Sequence, residues 1–357
     1  MKRIFSLLLA VCVALPMYAQ VRGHIAIPDL NGYVTLKCDF HMHTVFSDGS
    51  VWPSVRVGEA YREGLDAISI TDHLEYRPHK DDIVATHNRS YEIAKSAAEA
   101  SGILLIKGSE ITRSMPPGHA NAIFLTNSDA LDTPEVMDAY RAAKAQNAFI
   151  FWNHPCWDAQ QPDTTLWFDE HTQLLQQGLM LGIEVVNGGD YCPEAHRWCL
   201  EKKLTMIGNT DVHGPMQHFA PGKHRPMTLV FARNRTPEAI REAMNERRTA
   251  VYNDENIIGE EKYLKEMFEN ALEVVKIDKG NNAVRITVKN NSDLTFHLKK
   301  TQHDARLVYF REYTIVPKGE HTINIRLEGG VTGGDVNFIV ENFLVRPNEG
   351  MRYSVKI

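Results

Sequence analysis

The sequence predicts an α/β barrel followed by a small all-β sandwich. Between about residues 33 and 232, short apolar runs rich in Val, Ile and Phe alternate with helical patterns. This alternation is typical of parallel strands joined by crossover helices, and so many repeats favour a closed barrel over an open sheet. After Leu272 the pattern changes to stretches of alternating polarity joined by turn residues, which is typical of a sandwich.

The elements of the barrel follow from these runs. The runs predicted as strands are 33–40, 67–71, 103–108, 120–125, 149–153, 182–187, 205–209 and 227–232. The helical patterns between them lie at 53–63, 91–101, 134–146 and 193–203. Thr236 followed by Pro237 is typical of an N-cap and first helical residue, so a further helix is expected to about residue 248.

A helix at 260–271 and several alternating stretches complete the chain. The stretches lie at 283–289, 307–315, 321–327 and 336–344. Together they form a unit of about 85 residues, which is close to the size of an immunoglobulin-like domain. We therefore expect a signal peptide at 1–19, a hydrolase barrel at 20–258, a connecting helix at 259–271 and a sandwich at 272–357.

The first residues resemble an export signal. Lys2 and Arg3 precede an apolar stretch at 4–15 and a turn at Pro16, and Ala19 is a small residue at a plausible cleavage point. The apolar stretch is too short to span a bilayer comfortably. The sequence thus predicts a protein that is exported to the periplasm or the extracellular space and has no membrane span.

The composition excludes several classes of protein. The 357 residues are 43% hydrophobic and 24% charged, as in soluble globular proteins, and the formal net charge is −6. An acidic chain lacks the basic surface that binds nucleic acid, so no polynucleotide partner is expected. Of the 16 histidines, 13 lie before residue 225, which indicates a use for imidazole within the barrel.

Four cysteines remain after the signal segment: Cys38, Cys156, Cys192 and Cys199. Cys192 and Cys199 are the one pair close in sequence. On one helix they would lie about 10 Å apart, which is too far for a disulfide. Free thiols are therefore expected, although the compartment of an exported protein permits disulfides.

A metal centre is predicted at the ends of the barrel strands. His41 and His43 end the first strand, and the side-chain period of two directs both imidazoles into the barrel mouth. Asp211 and His213 have the same spacing after a late strand. Further ligand-type residues lie at the ends of the other strands or in the loops beside them: Asp48, His73, Glu110, His119 and His154.

These nine side chains require cations. So many carboxylates and imidazoles in a dry barrel mouth would be prohibitive without positive charge to neutralise and bind them. Nine ligands are too many for one ion, so we expect two or three divalent metal ions, with a carboxylate such as Glu110 bridging. Nitrogen and oxygen donors without thiolate suit zinc, manganese or iron.

The same residues carry a resemblance to a known family. The sequence is similar to the PHP family, named for polymerase and histidinol phosphatase, over roughly residues 36–250. The resemblance implies a distorted seven-stranded barrel and a trinuclear site. The signal segment and the sandwich resemble an exported branch of this family, the Sb-PDE-like phosphodiesterases. The matching motifs are Asp39 to Thr44, Thr71-Asp72-His73, Gly108-Ser109-Glu110, Gly118-His119, Asn153-His154-Pro155 and Asp211-Val212-His213.

The resemblance also implies how the ligands are distributed. Asp48 stands where some family members use His, which bears on the third metal. The implied groups are His41, His43, Glu110 and Asp211 for one metal, Glu110, His119 and His154 for a second, and Asp48, His73 and His213 for the third.

The expected activity is hydrolysis of a small phosphoester by a metal-bridging hydroxide, with a diester favoured over a monoester. Asp211 and His213 are the expected catalytic groups, and Arg113 is a candidate phosphate clamp through its planar donor fork. Aromatic residues that could wall the substrate pocket are Trp152, Trp157, Trp167 and Phe168. Histidines expected at the surface are His79, His171, His218 and His224.

Two other functions fit the same residues. An amidohydrolase-type barrel also begins with an HxH pair and ends with a late Asp, and it would hydrolyse an amide or lactone with metals often bridged by a modified lysine. A non-catalytic metal-binding or glycan-binding protein would keep the cluster without turnover. The positions of Glu110 and His213 favour phosphoester chemistry. The oligomeric state stays open.

Overall fold

Each apolar run predicted for the barrel forms a strand. The computed structural model describes residues 21–220, 222–301 and 304–357, and the predicted signal segment at 1–19 lies outside these ranges. The strands of the N-terminal part are β1 (Val34–Asp39), β2 (Ala67–Ile70), β3 (Leu104–Ile111), β4 (Ala120–Ile123), β5 (Phe149–Trp152), β6 (Gly182–Asn187), β7 (Asp190–Tyr191), β8 (Thr205–Asn209), β9 (Met227–Ala232), β10 (Thr249–Asn253) and β11 (Asn256–Gly259).

The helix boundaries follow local sequence signals. The first helix begins at Pro53, where a missing N–H costs little, and the Thr236 side chain accepts a hydrogen bond from Ala239 N at the start of the sixth. The helices are α1 (Pro53–Arg62), α2 (Arg89–Ser101), α3 (Val136–Ala145), α4 (Asp169–Gln176), α5 (Pro193–Lys202) and α6 (Pro237–Asn245). The eight-residue α4 has no counterpart among the predicted helices. Within the described residues, no helix is long and apolar enough to cross a membrane.

The strand directions show where the barrel departs from a parallel one. β1, β2 and β3 are parallel neighbours, as are β5, β6 and β8. β4 pairs antiparallel with both β3 and β5, and β9 pairs antiparallel with β1. The N-terminal part is therefore the predicted distorted barrel, with antiparallel pairs at β4 and β9 among the parallel strands. Residues 112–119 join β3 to β4 without a helix, and a connection this short returns the chain in the antiparallel direction.

The barrel closes through the segment that follows β8. Asp211 N donates a hydrogen bond to His41 O at 2.9 Å, and His43 N donates one to Val212 O at 3.0 Å. The residues after β8 are thereby held against the residues after β1. This irregular closure places two of the predicted ligand pairs, His41 with His43 and Asp211 with His213, beside each other at the mouth of the barrel. We call this part of the barrel mouth the rim.

The C-terminal part is a two-layer sandwich of immunoglobulin-like type. Its elements are α7 (Glu261–Ala271), β12 (Leu272–Lys279), β13 (Ala283–Asn290), β14 (Phe296–Lys300), β15 (Leu307–Val308), β16 (Glu312–Ile315), β17 (Glu320–Leu327), β18 (Asp335–Arg346) and β19 (Glu349–Lys356). One layer has the order β12-β13-β17-β15, and the other has β16-β14-β18 with β19 also beside β18. The predicted strand at 307–315 is divided between β15 and β16, because the chain crosses from one layer to the other there.

Barrel and sandwich share a sheet and a core. β18 pairs parallel with β11, which carries the barrel sheet into the sandwich. On α7, Leu264, Met267 and Phe268 are buried, and the Phe268 ring lies edge-on to Phe296 of β14 at 5.1 Å. Burying one such Phe contributes about 1.5–3 kcal/mol. The sandwich therefore supports the barrel through apolar packing as well as through strand pairing.

A disulfide joins Cys156 to Cys192, which corrects the expectation of free thiols at these positions. The two residues are 36 apart in sequence, and only the fold brings the loop after β5 to the start of α5. Cys192 precedes Pro193 and is the N-cap residue of α5. Cys38 and Cys199 are buried free thiols.

Candidate metal centre

The two histidines at the end of β1 point to the same place. His41 and His43 are fully buried, and their Nε2 atoms lie 3.1 Å apart. His41 Nδ1 contacts Glu184 Oε1 at 2.9 Å, which fixes the ring with its Nε2 towards the barrel mouth. The alternation predicted for this strand end therefore places both imidazoles at one position.

Two carboxylates complete the first group of ligand-type atoms. Asp211 Oδ1 lies 3.1 Å from His41 Nε2 and 3.0 Å from His43 Nε2. Glu110 Oε2 lies 3.5 and 3.4 Å from the same two nitrogens. For metal–ligand bonds of about 2.0–2.2 Å, the edge of a coordination tetrahedron is about 3.3–3.6 Å. The four atoms are thus spaced much as the ligands of one small cation would be.

Glu110 connects this group to a second one. Its Oε1 lies 3.1 Å from His119 Nδ1 and 3.7 Å from His154 Nε2, on the side away from the first group's oxygen. Asn153 Nδ2 donates a hydrogen bond to the same oxygen at 2.8 Å, which holds the carboxylate in this orientation. Each oxygen of Glu110 therefore faces a different set of imidazoles, as a bridging ligand would.

A third group surrounds Asp48. Its Oδ1 lies 3.3 Å from His213 Nε2, 3.5 Å from His73 Nε2 and 3.7 Å from His43 Nδ1. The other nitrogen of His73 lies 2.7 Å from Glu110 Oε2, so this ring lies between the first and third groups. All nine predicted ligands therefore meet in one continuous cluster.

Several buried atoms in the cluster have close neighbours but no hydrogen bond. Glu110 Oε2, Asp211 Oδ1 and His119 Nδ1 are all in this state. Asp211 Oδ1 lies within 3.1 Å of two imidazole nitrogens without the alignment of a hydrogen bond. Buried polar atoms are normally satisfied, and a cation between them would satisfy this set. The residues present therefore fit bound metal ions.

The charges of the cluster compensate one another in the absence of metal. Burial lowers the pKa of His41, but Asp211, Glu184 and Glu110 outweigh burial and raise this pKa well above its ordinary value. Burial lowers the pKa of His43, so the two adjacent rings differ. The carboxylates also raise the pKa of His73 to about 10 against the effect of burial. Metal ions would displace these imidazole protons on binding.

Two of the candidate ligand residues have strained backbones. His154 has a φ of 31° and Asp211 a φ of 53°, both in the left-handed region. Such a conformation costs about 1–3 kcal/mol and persists only where the surroundings impose it. Here His154 N donates to Glu184 Oε2 at 2.8 Å, and Asp211 N donates to the His41 carbonyl. The fold thus holds both side chains at the rim against a local preference.

Sequence reasoning missed Glu184, the main support of the cluster. This buried residue of β6 contacts His41 Nδ1, and it accepts hydrogen bonds from His154 N and from Asn209 Nδ2. The signal was available, because Glu184 is a lone acid inside an apolar strand and a buried carboxylate requires partners. Arg56 of α1 has a similar role, since its buried guanidinium donates to the carbonyls of residues 43, 212, 213 and 214.

Arg113 does not face the cluster with a free guanidinium. Its Nε lies 2.8 Å from Glu75 Oε1, and its terminal nitrogens donate to the carbonyls of Thr133 and Pro134. These partners hold the side chain on a neighbouring loop. The predicted phosphate clamp is thus engaged elsewhere.

Other predicted residues divide between the core and the mouth. Trp152 is buried and stacks on Trp198 at 5.5 Å, with Trp167 edge-on to both, so these rings belong to the core. Trp157 is 44% exposed and contacts His154 and His119. His171, expected at the surface, is fully buried against Trp152.

The fold and the site define a PHP-like protein of the metal-dependent phosphoesterase class. A two-domain protein of Bacteroides vulgatus that contains a predicted PHP-like metal-dependent phosphoesterase is 55% identical, with a TM-score of 0.94, and the match covers 95% of this chain and 100% of that one. The chain therefore belongs to the family of two-domain PHP-like metal-dependent phosphoesterases. Residues 271–356 match the profile of an Ig-like domain designated DUF5001.

Two more distant relatives share part of the chain. A putative metal-dependent phosphoesterase of Bifidobacterium adolescentis is 17% identical, with a TM-score of 0.44, over 58% of this chain and 95% of its own. An uncharacterized protein of Methanocaldococcus jannaschii is 38% identical over 82 residues, which are 23% of this chain and 36% of that protein. The chain thus spans about a third of the length of this curated relative.

Proposed function

We propose that the protein is an exported phosphodiesterase that uses two or three divalent metal ions to hydrolyse a small phosphodiester. The observation that carries this proposal is the convergence of nine carboxylates and imidazoles, Glu110 among them, with atom pairs 3.0–3.7 Å apart. When bound, the metal ions would supply Lewis acidity towards the phosphoryl oxygens and activation of water.

These distances support the ligand groups that the family resemblance implies. His41, His43, Glu110 and Asp211 would hold the first ion, and the second oxygen of Glu110 would join His119 and His154 around the next. A further ion would be held by the group around Asp48, which is His73 and His213. A glutamate at the bridging position also supports phosphoester chemistry over the amidohydrolase alternative, which expects a modified lysine.

The exposure of the candidate ligands indicates the side from which substrate would approach. The His213 side chain is 40% exposed and that of Asp211 is 19% exposed, whereas those of His41, His43 and Glu110 are fully buried. Substrate would therefore approach over Asp211 and His213, and these are the proposed catalytic groups. His213 Nδ1 is held by the Asp211 carbonyl at 2.8 Å, which leaves Nε2 directed at Asp48 and the mouth.

The environment of Arg113 supports a diester as substrate. A phosphate monoester carries nearly two negative charges at neutral pH, and a diester carries one. Arg113, the candidate for binding the second charge, is instead paired with Glu75. The disulfide Cys156–Cys192 supports export, because such bonds persist in oxidising compartments.

The test compares two esters with one leaving group. Purified protein is loaded separately with zinc, manganese or iron, its metal content is measured by elemental analysis, and bis-p-nitrophenyl phosphate is compared with p-nitrophenyl phosphate. We expect a kcat/KM for the diester at least about tenfold higher than for the monoester, a difference of about 1.4 kcal/mol. A preference for the monoester would refute the diester assignment. No turnover of either ester by metal-loaded protein would favour a binding protein.

A further inference from the structure

Four rings form a row along one side of the metal cluster. Trp157 and His119 have ring centroids 5.7 Å apart, His119 and His73 are 5.8 Å apart, and His73 and Tyr76 are 5.9 Å apart. The two inner rings are candidate metal ligands. The two outer rings are largely exposed, with Trp157 at 44% and Tyr76 at 54%. An aromatic surface therefore borders the cluster at both ends of the row.

The turn that carries Trp157 is fixed. Its N donates to the His154 carbonyl at 2.9 Å, and its own carbonyl accepts from Gln160 N and Gln161 N at 3.1 and 3.0 Å. The preceding residue, Cys156, is anchored by its disulfide to the start of α5. The indole is thus attached to backbone that is held at three points, so a ligand that stacks on it need not order a loose loop.

The position of Trp157 differs from that of the other tryptophans near β5. Trp152 and Trp198 stack face to face in the core, at an interplanar angle of 14°, and Trp167 closes on them edge-on. Trp157 instead meets the His154 ring at 78° and 5.0 Å. Exposure of one aromatic residue is ordinary in itself. Exposure of an indole in contact with two of the proposed ligand rings indicates a surface that substrate can reach.

We propose that Trp157 is a stacking platform for a planar substituent of the substrate, so that the preferred esters carry an aryl group or a nucleobase. This inference rests on the proposed phosphodiesterase function. A phosphoryl group at the metal cluster would lie beside this row of rings, and a diester has two substituents to direct towards the exposed rings at its ends. Stacking of a base on an aromatic side chain strengthens binding by about 5- to 150-fold. Tyr76 would offer the weaker contact for the second substituent.

The experiment measures binding apart from turnover. Diphenyl phosphate and dimethyl phosphate are titrated into metal-loaded protein by calorimetry, with Trp157→Leu, Trp157→Phe and Phe310→Leu as variants. Phe310 is 71% exposed in the sandwich and serves as the matched control for loss of a surface aromatic. We expect the native protein and the Phe310→Leu variant to bind diphenyl phosphate at least about tenfold more tightly than dimethyl phosphate. Trp157→Leu should reduce this ratio to about twofold, and Trp157→Phe should retain most of it.

Two results would overturn the subsite. One is an unchanged ratio in Trp157→Leu. The other is equal weakening of both ligands with loss of bound metal by elemental analysis, because Trp157 would then only support His119 and His154.

A second assay tests the aromatic subsite and the phosphodiesterase function separately. It compares the cleavage of phenyl p-nitrophenyl phosphate with that of methyl p-nitrophenyl phosphate, two diesters that share a leaving group. Preferential binding of diphenyl phosphate without cleavage would support the subsite and refute the phosphodiesterase. Equal cleavage of both esters, without any binding preference, would refute the subsite and keep the phosphodiesterase.

Discussion

Two groups of buried histidines lie near β5, and they differ in what faces their ring nitrogens. At the rim, His41 and His43 face each other and the carboxylates of Asp211 and Glu110. In the core, the His171 ring stacks on Trp152 with their centroids 3.8 Å apart, and both nitrogens of His171 contact backbone groups. Burial alone therefore does not identify a ligand. Imidazoles that converge on carboxylates need a cation, whereas an imidazole satisfied by backbone needs nothing more.

The largest expected effect comes from removing a rim carboxylate. Asp211→Ala should lower kcat/KM for bis-p-nitrophenyl phosphate by about three orders of magnitude, because several kcal/mol of metal-derived stabilisation is lost. Steady-state kinetics with elemental analysis measure this. Asp138→Ala, on the exposed face of α3, is the control and should keep full activity. Undiminished turnover in Asp211→Ala would contradict the assignment of the rim.

Removal of the metal ions should lower the stability of the protein, and only through the candidate ligands at the rim. A chelator is expected to lower the free energy of unfolding by about 3–4 kcal/mol, as for a ligand present at 100 to 1,000 times its Kd. Urea unfolding with and without chelator measures the difference. A double variant, His41→Ala with Asp211→Ala, should lose clearly less stability on chelation than the native protein, because it lacks two ligands of the first proposed ion. Equal sensitivity of this variant and the native protein would show that the stabilising ion lies elsewhere.

A substitution of Glu184 tests whether this buried residue holds the candidate metal ligands in position. In Glu184→Gln the amide nitrogen must face either His154 N–H or the His41 ring, and each position loses an acceptor that the carboxylate provides. We expect metal affinity to fall about 10–100-fold, as for other residues that orient a ligand. Competition with a chromogenic chelator measures the change. Glu92→Gln on α2 is the control, and an affinity equal to that of the native protein in Glu184→Gln would contradict the role.

The candidate ligands at the rim were easier to predict from the sequence than the partners of other side chains, and the reason is physical. His41 and His43 are two positions apart just beyond β1, and the side-chain period of two was enough to predict that both imidazoles face the same way. Arg113 looked equally suitable as a phosphate clamp, but its engagement depends on Glu75, which belongs to another loop. Partners of this kind are fixed by tertiary structure, and local patterns do not encode them.

The same distinction separates what could be predicted of the fold from what could not. The apolar runs located the barrel strands, because a buried strand needs continuous apolar residues. The direction of β4 and the bond between Cys156 and Cys192 depend on how distant segments meet. His171 was misjudged for a related reason, since its burial is set by Trp152, which lies 19 positions earlier in the sequence.

His171 gives the smallest effect and sharpens the contrast between the two groups of histidines. Burial lowers the pKa of His171 to about 4, so the folded state keeps the ring neutral where the unfolded chain takes up a proton. Its contribution to stability is full above about pH 6.5 and is lost as the pH falls towards 4. Between pH 7 and pH 5 the native protein should lose about 1–2 kcal/mol more stability than His171→Gln, whose amide does not titrate.

Urea unfolding at the two pH values measures this difference, and the comparison with the variant cancels the protonation of the rim histidines. His196 is buried with its pKa lowered in the same way and remains in both proteins, so it cancels too. Equal losses in the two proteins would mean that His171 is already protonated in the folded state. The backbone N–H of Phe168, which donates to His171 Nδ1, argues against that, because a protonated nitrogen could not accept this bond.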